Sequence, residues 1–154
     1  MAKKPIYQKL NVSFNLRIGE IERPSTEKKI INSREVADLC KDYARADREI
    51  FLVVMLNAKN IILSLETHTI GAVDSSGVYV RELFRSLLLK NATAFICVHN
   101  HPSGDPSPSE CDKEITKKIQ DAAQIMEIAF LDHVILGKDN YYSFADHGAL
   151  ASLI

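Results

Sequence analysis

His99, His101, Ser109 and Asp112 lie within fourteen consecutive residues, directly after an apolar run. Two neutral imidazoles and one carboxylate are the protein ligands that a catalytic zinc takes, and they leave the fourth tetrahedral position for water. Because side chains alternate along an extended segment, His99 and His101 point the same way and Asn100 faces away. The segment therefore predicts a Zn²⁺ site formed by His99, His101 and Asp112, and a metal-dependent hydrolase.

Ser109 and Asp112 are three residues apart at the point where a loop becomes a helix. This spacing lets the carboxylate project from the first turn of the helix back over the end of the preceding strand. The same spacing is typical of a capping box, in which Ser109 caps the helix and Asp112 returns to its backbone. Both interpretations hold together if Ser109 caps the helix while Asp112 coordinates the ion.

Hydrolysis also requires a base, because coordination alone lowers the pKa of a zinc-bound water only to about 7. Glu49 is the best candidate, since it opens an apolar strand that is predicted to lie beside the strand ending at His99. The alternative for Glu49 is an exposed glutamate at the end of a helix. Glu66 and Glu82 are the rival candidates for the base.

The elements that must position these residues alternate between strands and helices. Pro102 stops the buried strand that precedes the histidine pair, so both histidines lie at its carboxyl end. The predicted strands are Ile50–Leu56, Ile61–Leu65, Ala92–Val98, Ile128–Leu136 and Tyr141–Phe144, with a weaker extended stretch at Thr67–Val73 and turns at Asp74–Gly77 and Gly137–Asn140. Helices are predicted after an N-cap at Ser33, from Val80 to Leu88, and from Cys111 to Met126. This order predicts a mixed α/β sheet with helices on both faces.

The chain of 154 residues, 46% of them hydrophobic, is long enough for one domain with a real core. We predict a partly extended N-terminal arm over residues 1–32 and a single domain over residues 33–154. Three cysteines cannot all pair within the chain, and Cys97 lies in an apolar run. With no signal peptide and no apolar stretch approaching about 20 residues, we expect a soluble cytoplasmic protein without membrane contact.

The spacing His99-x-His101, seven residues, Ser109, two residues, Asp112 matches the JAMM motif of the JAB/MPN+ metalloproteases without a gap. The loop His99-Asn-His-Pro-Ser-Gly-Asp-Pro-Ser-Pro-Ser109 more closely resembles the RadC branch of bacterial proteins. Arg81-Glu-Leu-Phe84 and Leu131-Asp-His-Val-Ile-Leu-Gly137 resemble the same branch. The resemblance covers roughly residues 33–147.

This resemblance implies a three-layer, cytidine-deaminase-like α/β/α fold and a zinc held by His99, His101 and Asp112. It also implies a water activated by an upstream glutamate, and a role for Ser109 in stabilising the oxyanion formed when water attacks an amide carbonyl. The implied activity is that of a zinc metallopeptidase acting on a peptide or isopeptide bond of a peptide or protein substrate.

A second hypothesis is a binding module associated with DNA repair or nucleic-acid processing, in which the zinc is mainly structural. The first 33 residues carry a net charge of +4 against −5 in the remainder, which gives little drive for nonspecific DNA binding. Longer RadC proteins carry a helix-hairpin-helix region before this domain, and residues 1–32 are too short for one. A zinc-dependent nuclease or deaminase is a third hypothesis, but the Cys-x-x-Cys of zinc deaminases is absent from the sequence.

Other polar residues leave two interpretations open. His133 alternates with apolar neighbours, so it either approaches the zinc site from behind or is a satisfied core histidine. Asp105 either orients a ligand histidine or serves ordinary turn chemistry. His68 and His147 lie near turn signals and are expected to face solvent.

Overall fold

A computed structural model of the chain describes residues 28–71 and 78–150. In chain order the elements are α1 (Ser33–Cys40), a 3₁₀ turn (Lys41–Arg45), β1 (Ile50–Leu56), β2 (Ile62–Ile70), α2 (Val80–Leu89), β3 (Ala94–Asn100), α3 (Glu110–Met126), β4 (Ala129–Leu136) and β5 (Tyr141–Ser143). Most of the predicted arm (residues 1–27) and the predicted turn at Asp74–Gly77 lie outside the described residues.

The five strands form one mixed sheet in the order β2-β1-β3-β4-β5. The β1 strand pairs antiparallel with both β2 and β3, while β3 and β4 run parallel. The helix α3 connects the two parallel strands, as a parallel pair requires a crossover. The central strands β1 and β3 are almost entirely buried, which explains why both read as continuous apolar runs in the sequence.

Helices cover both faces of the sheet, so the predicted three-layer α/β/α arrangement is confirmed. One face packs under α2 and α3 through a core that contains Phe51, Phe95, Leu87 and Ile119. The other face packs under α1 through a second core that contains Val36, Cys40, Ile96 and Val98. Successive residues of β3 alternate between these two cores, because side chains of a strand point to opposite faces.

The boundaries of several elements differ from the prediction. The N-cap of α1 is Asn32 and not Ser33, because the Asn32 side chain accepts a hydrogen bond from the Glu35 N–H. The Ser33 hydroxyl instead donates to Asp146 and contacts Tyr141. The β2 strand continues to Ile70 and absorbs much of the stretch that the sequence suggested as a separate element.

All three cysteines are free thiols. Burial raises the pKa of Cys40 to about 12 and raises the pKa of Cys97 well above its ordinary value, so neither is ionised near neutral pH. The helices among the described residues are all too short or too polar to cross a bilayer.

Candidate metal centre

The structure brings His99, His101 and Asp112 together at the carboxyl end of β3. His99 is the next-to-last residue of β3 and is fully buried, His101 lies just after the strand and is partly exposed, and Asp112 projects from the first turn of α3. One nitrogen of each histidine and one carboxylate oxygen lie within 4.8 Å of one another. The sequence prediction of a common site for these three side chains therefore corresponds to an observed cluster.

The separations within this cluster are close to those between the ligands of a small cation. Ligand atoms about 2.0–2.1 Å from a tetrahedral zinc ion lie roughly 3.3 Å from one another. The His99 Nε2 atom lies 3.0 Å from His101 Nε2 and 3.0 Å from Asp112 Oδ1, and His101 Nε2 lies 3.3 Å from the other carboxylate oxygen, Asp112 Oδ2. The two imidazoles therefore face different oxygens of one carboxylate, at separations near those of ligands around a divalent cation.

Ser109 forms the capping box that the sequence suggested as an alternative. Its side chain accepts from the Asp112 N–H, and the Asp112 carboxylate accepts from the Ser109 N–H at 2.7 Å. The Ser109 hydroxyl also donates to Asp112 Oδ2 at 2.6 Å. Asp112 can therefore take part in the capping box and also face the two histidines, because the hydrogen bonds of the cap hold its carboxylate in that direction.

The loop between the histidines and α3 is fastened to the β4–β5 turn. The His101 N–H donates to the Leu136 carbonyl, and the Lys138 N–H donates to the Gly104 carbonyl. Gly104 has a φ of +84°, a conformation that favours glycine. A Cβ on Gly137 would approach the Gly104 carbonyl oxygen to 2.6 Å, so a side chain there would push the loop away. These contacts set the position of His101 relative to β4.

The electrostatics of the cluster favour an ionised carboxylate. Burial alone would raise the pKa of Asp112, but the adjacent His101, His99 and Ser109 side chains outweigh burial and hold that pKa well below its usual range. The Asp112 carboxylate in turn raises the pKa of His101, with smaller contributions from the Asp105 carbonyl and the Glu49 carboxylate. A site rich in negative charge and nitrogen lone pairs is suited to a divalent cation.

His133 lies directly behind His99, and it is both a buried residue and a neighbour of the candidate ligands. Its Nε2 atom lies 2.9 Å from His99 Nδ1, and its Nδ1 atom lies 2.6 Å from the Thr116 hydroxyl. Its ring stacks on Phe144 and meets Phe51 edge-on. Burial lowers the pKa of His133 well below its ordinary value, so the ring is neutral.

Glu49 lies within electrostatic reach of His101. The antiparallel pairing of β1 with β3 extends to Phe51 and His99, so Glu49 and His101 each lie two residues beyond the same end of this pairing. The influence of the Glu49 carboxylate on the pKa of His101 agrees with this placement. Glu49 is half-buried, as expected of a residue at the rim of a site.

Asn100 holds the backbone on both sides of Glu49. Its side chain accepts from the Ile50 N–H at 2.8 Å and donates to the Arg48 carbonyl at 3.0 Å. The Glu49 carbonyl itself accepts from the Gly71 N–H. The prediction that Asn100 faces away from the histidines is correct, and its contacts on that side explain why a buried amide is present.

Residues 30–149 match the family model of the RadC-like JAB domain. The chain belongs to the RadC-like JAB domain family. The resemblance inferred from the loop and its flanking motifs is thereby confirmed.

Relatives of the RadC-like JAB domain include UPF0758 proteins from several bacteria. The chain is 42% identical to one from Desulfitobacterium hafniense over 123 residues, which are 79% of this chain and 54% of that protein. It is 44% identical to one from Haemophilus influenzae over 77% of this chain and 54% of that protein. It is 37% identical to one from Thermotoga maritima over 85% of this chain and 58% of that protein. The chain thus spans little more than half the length of these relatives.

The rival carboxylates of the RadC-like JAB domain are engaged elsewhere. Glu66 on β2 pairs with Lys90, and Glu82 on α2 pairs with Arg81 and Arg85. Glu49, by contrast, is among the groups that raise the pKa of His101.

Two predictions about other polar residues need correction or refinement. His68 is half-buried and not solvent-facing, because it lies on β2 near Glu66 and Glu82, whereas His147 is exposed as predicted. Asp105 contacts His101, a candidate ligand, through its backbone carbonyl, which lies 2.8 Å from His101 Nδ1, and not through its carboxylate. The Asp105 carboxylate accepts from the Ser107 N–H, which is ordinary turn chemistry.

Thr116 is the residue of this site that the sequence reasoning missed. Its hydroxyl donates to the Asp112 carbonyl at 2.5 Å and contacts His133. The only signal in the sequence is its spacing, since Thr116 follows Asp112 by one helical turn and therefore lies on the same face of α3.

Proposed function

We propose that this RadC-like JAB domain is a zinc-dependent hydrolase, specifically a metallopeptidase that cleaves a peptide or isopeptide bond. The observation that carries the proposal is the convergence of His99, His101 and Asp112 within 4.8 Å at the end of a buried strand. A half-buried residue, Glu49, raises the pKa of His101 through its carboxylate and therefore lies within electrostatic reach of the cluster. The bond type comes from the resemblance to the JAMM metalloproteases.

Zinc would be held by the Nε2 atoms of His99 and His101 and by the Asp112 carboxylate. Bound there, it would act as a Lewis acid that activates a water molecule and the carbonyl oxygen of the substrate. Three protein ligands leave a coordination position open for this chemistry. The partial exposure of His101, in contrast to the complete burial of His99, puts the open side of the cluster toward solvent. A substrate would approach from that side.

Glu49 acts as the general base that takes a proton from the attacking water. Its backbone is held by Asn100 and Gly71, so its carboxylate extends from a fixed point at the start of β1. A general base must lie at a defined distance from the proton that it takes from water. A residue held at the end of a central strand, such as Glu49, keeps this distance better than a residue on a loop.

Ser109 donates a hydrogen bond to the oxyanion that develops on the substrate carbonyl. In the structure the Ser109 hydroxyl donates its proton to Asp112 Oδ2. The hydroxyl must therefore rotate this proton toward the substrate during the reaction. The backbone hydrogen bonds of the capping box keep Asp112 in place while it does so.

Metal analysis of chelator-free protein tests the first half of the proposal. Plasma mass spectrometry should find about one zinc per chain, as expected of three protein ligands with one open position. His101→Ala should lose the metal, while Glu49→Gln should keep it. Failure of the parent protein to take up added zinc would refute the proposal.

Hydrolysis is tested with zinc-loaded protein, a mixture of unstructured peptides and a lysine-linked isopeptide substrate, with products read by mass spectrometry. Cleavage should disappear in Glu49→Gln and persist in Glu66→Gln, a carboxylate that pairs with Lys90 away from the cluster. Zinc binding without cleavage of either substrate class would favour the alternative, a module in which zinc is structural.

A further inference from the structure

A chain of hydrogen bonds runs from His99 through His133 and Thr116 and returns to Asp112. The three links measure 2.9 Å between His99 Nδ1 and His133 Nε2, 2.6 Å between His133 Nδ1 and Thr116 Oγ1, and 2.5 Å between Thr116 Oγ1 and the Asp112 carbonyl. His133 and Thr116 are buried, and aromatic rings of Phe51 and Phe144 flank the two imidazoles. These hydrogen bonds thus link two candidate metal ligands, His99 and Asp112, through the protein interior.

The direction of every hydrogen bond in this chain follows from its last member. A backbone carbonyl can only accept, so the Thr116 hydroxyl must donate its single proton to Asp112. Its oxygen then accepts from His133, which places the proton of the neutral His133 ring on Nδ1. The Nε2 atom of His133 is left as an acceptor, and His99 must donate to it from Nδ1.

This direction matters because an imidazole binds a metal only through a nitrogen that carries no proton. With the proton held on Nδ1, the Nε2 atom of His99 keeps its lone pair available, and Nε2 is the atom that faces His101 and Asp112. If these hydrogen bonds had the opposite direction, His133 would donate to His99 Nδ1. The His99 ring would then carry a proton on Nε2, which faces Asp112, and that proton would block metal binding at Nε2.

We propose that Thr116 and His133 are positioning residues that direct the Nε2 lone pair of His99 into the metal site. This inference rests on the proposed zinc site and adds the reason why that site is prepared before the metal arrives. Thr116 sets the direction of these hydrogen bonds, because its hydroxyl contacts the Asp112 carbonyl, a group that can only accept. The position of Thr116 on α3 also links the state of His99 to the same helix that presents Asp112.

Thr116→Val and Thr116→Ser form the matched pair that tests the inference. Valine keeps the shape of threonine but has no hydroxyl, whereas serine restores it. Without the hydroxyl, His133 is free to move its proton to Nε2 and donate to His99. Thr116→Val should therefore bind zinc about 10–100-fold more weakly, as measured by competition with a chromogenic chelator, and Thr116→Ser should bind close to the parent value.

Nitrogen NMR of the histidine rings in metal-free protein provides a readout that a purely structural role would not change. The Nδ1 atom of His99 should be protonated in the parent and in Thr116→Ser, and unprotonated in Thr116→Val. Thr116→Ala, which suits the interior of a helix, serves as a second variant if valine disturbs folding. Circular dichroism verifies that each variant is folded.

The possible results separate this inference from the proposed function. If the parent protein binds no zinc, the proposed function fails, and the NMR experiment still decides the direction of the chain. If the parent binds zinc while Thr116→Val binds it equally well and keeps His99 protonated at Nδ1, the zinc site stands and the positioning role is wrong.

Discussion

The two faces of β3 differ in the kind of residue with which each one ends. On the face toward α2 and α3, the row of Phe95 and Cys97 leads to His99. On the face toward α1, the row of Ile96 and Val98 leads to Asn100. The first row therefore ends in an imidazole of the His-His-Asp cluster, and the second ends in a neutral amide that holds the backbone around Glu49.

This difference separates two tasks that an active site requires. The α3 face carries the groups that would bind the ion, and their polar atoms lie 3.0–3.3 Å from one another. The α1 face carries no member of the His-His-Asp cluster among the described residues, and its core packs the strands and holds the start of β1. Changes on the first face should act on metal affinity, and changes on the second should act on stability or on Glu49.

The largest expected effect is on the α3 face. Asp112→Asn should reduce zinc affinity by at least about 100-fold, more than the loss of an outer hydrogen-bond partner, which costs about 10–100-fold. The neutral amide no longer offers a charged oxygen to the ion. Isothermal titration with zinc measures the change, and Asp121→Asn, an exposed carboxylate on the same helix, is the matched control. Equal losses in both variants would mean that only the general charge of α3 matters.

The next effect is on the α1 face and should leave zinc binding unchanged. Ile96→Ala creates a cavity in a core where Ile96 is 3% exposed, and should lower the free energy of unfolding by about 2–5 kcal/mol. Urea denaturation of the metal-free protein measures this loss. Leu89→Ala, at an exposed position, should cost no more than about 0.5 kcal/mol. A zinc affinity that fell together with stability in Ile96→Ala would show that the two faces are not independent.

A smaller effect is expected where the α1 face meets Glu49. Asn100→Ala leaves the Ile50 N–H and the Arg48 carbonyl without their side-chain partner, which should cost about 1–3 kcal/mol of stability. Zinc affinity should be retained, while turnover of any substrate identified should fall because Glu49 is no longer held. Gln124→Ala, an exposed polar position on α3, is the control. If Asn100→Ala lost its zinc, Asn100 would be needed for metal binding, and the two faces of β3 would not have separate roles.

The smallest effect concerns pH. The Asp112 carboxylate holds the pKa of His101 above its ordinary value of 6.5, and zinc must displace the proton that His101 then carries. Zinc affinity should therefore weaken as pH falls, beginning above pH 6.5, by up to about tenfold per pH unit for one displaced proton. Asp112 stays ionised throughout this range, so it adds no further slope.

Titrations at pH 8, 7 and 6 measure this dependence. Glu49→Gln removes one of the contributions that raise the pKa of His101, so its curve should move slightly toward lower pH. An affinity that stayed constant from pH 8 to pH 6 would contradict the assignment of His101 as a ligand that loses a proton on binding.

Local pattern was sufficient to predict the fold class and the proximity of His99, His101 and Asp112. Period-two alternation aligned His99 with His101, and the three-residue spacing of Ser109 and Asp112 predicted a helix start that the capping box bears out. Boundaries were less accurate, as at α1, where Asn32 caps the helix in place of Ser33. Two adjacent residues of similar capping preference differ too little in local energy for pattern alone to separate them.

What the sequence by itself determined is the chemistry of one continuous segment, because residues close in the chain have few ways to be arranged. Only the tertiary structure decided which distant residues join that segment. The strand order brings Glu49 within electrostatic reach of His101 and places His133 behind His99, although about 50 and 34 residues separate the members of these pairs. Contacts between strands depend on the pairing and register of the whole sheet, which no local spacing encodes.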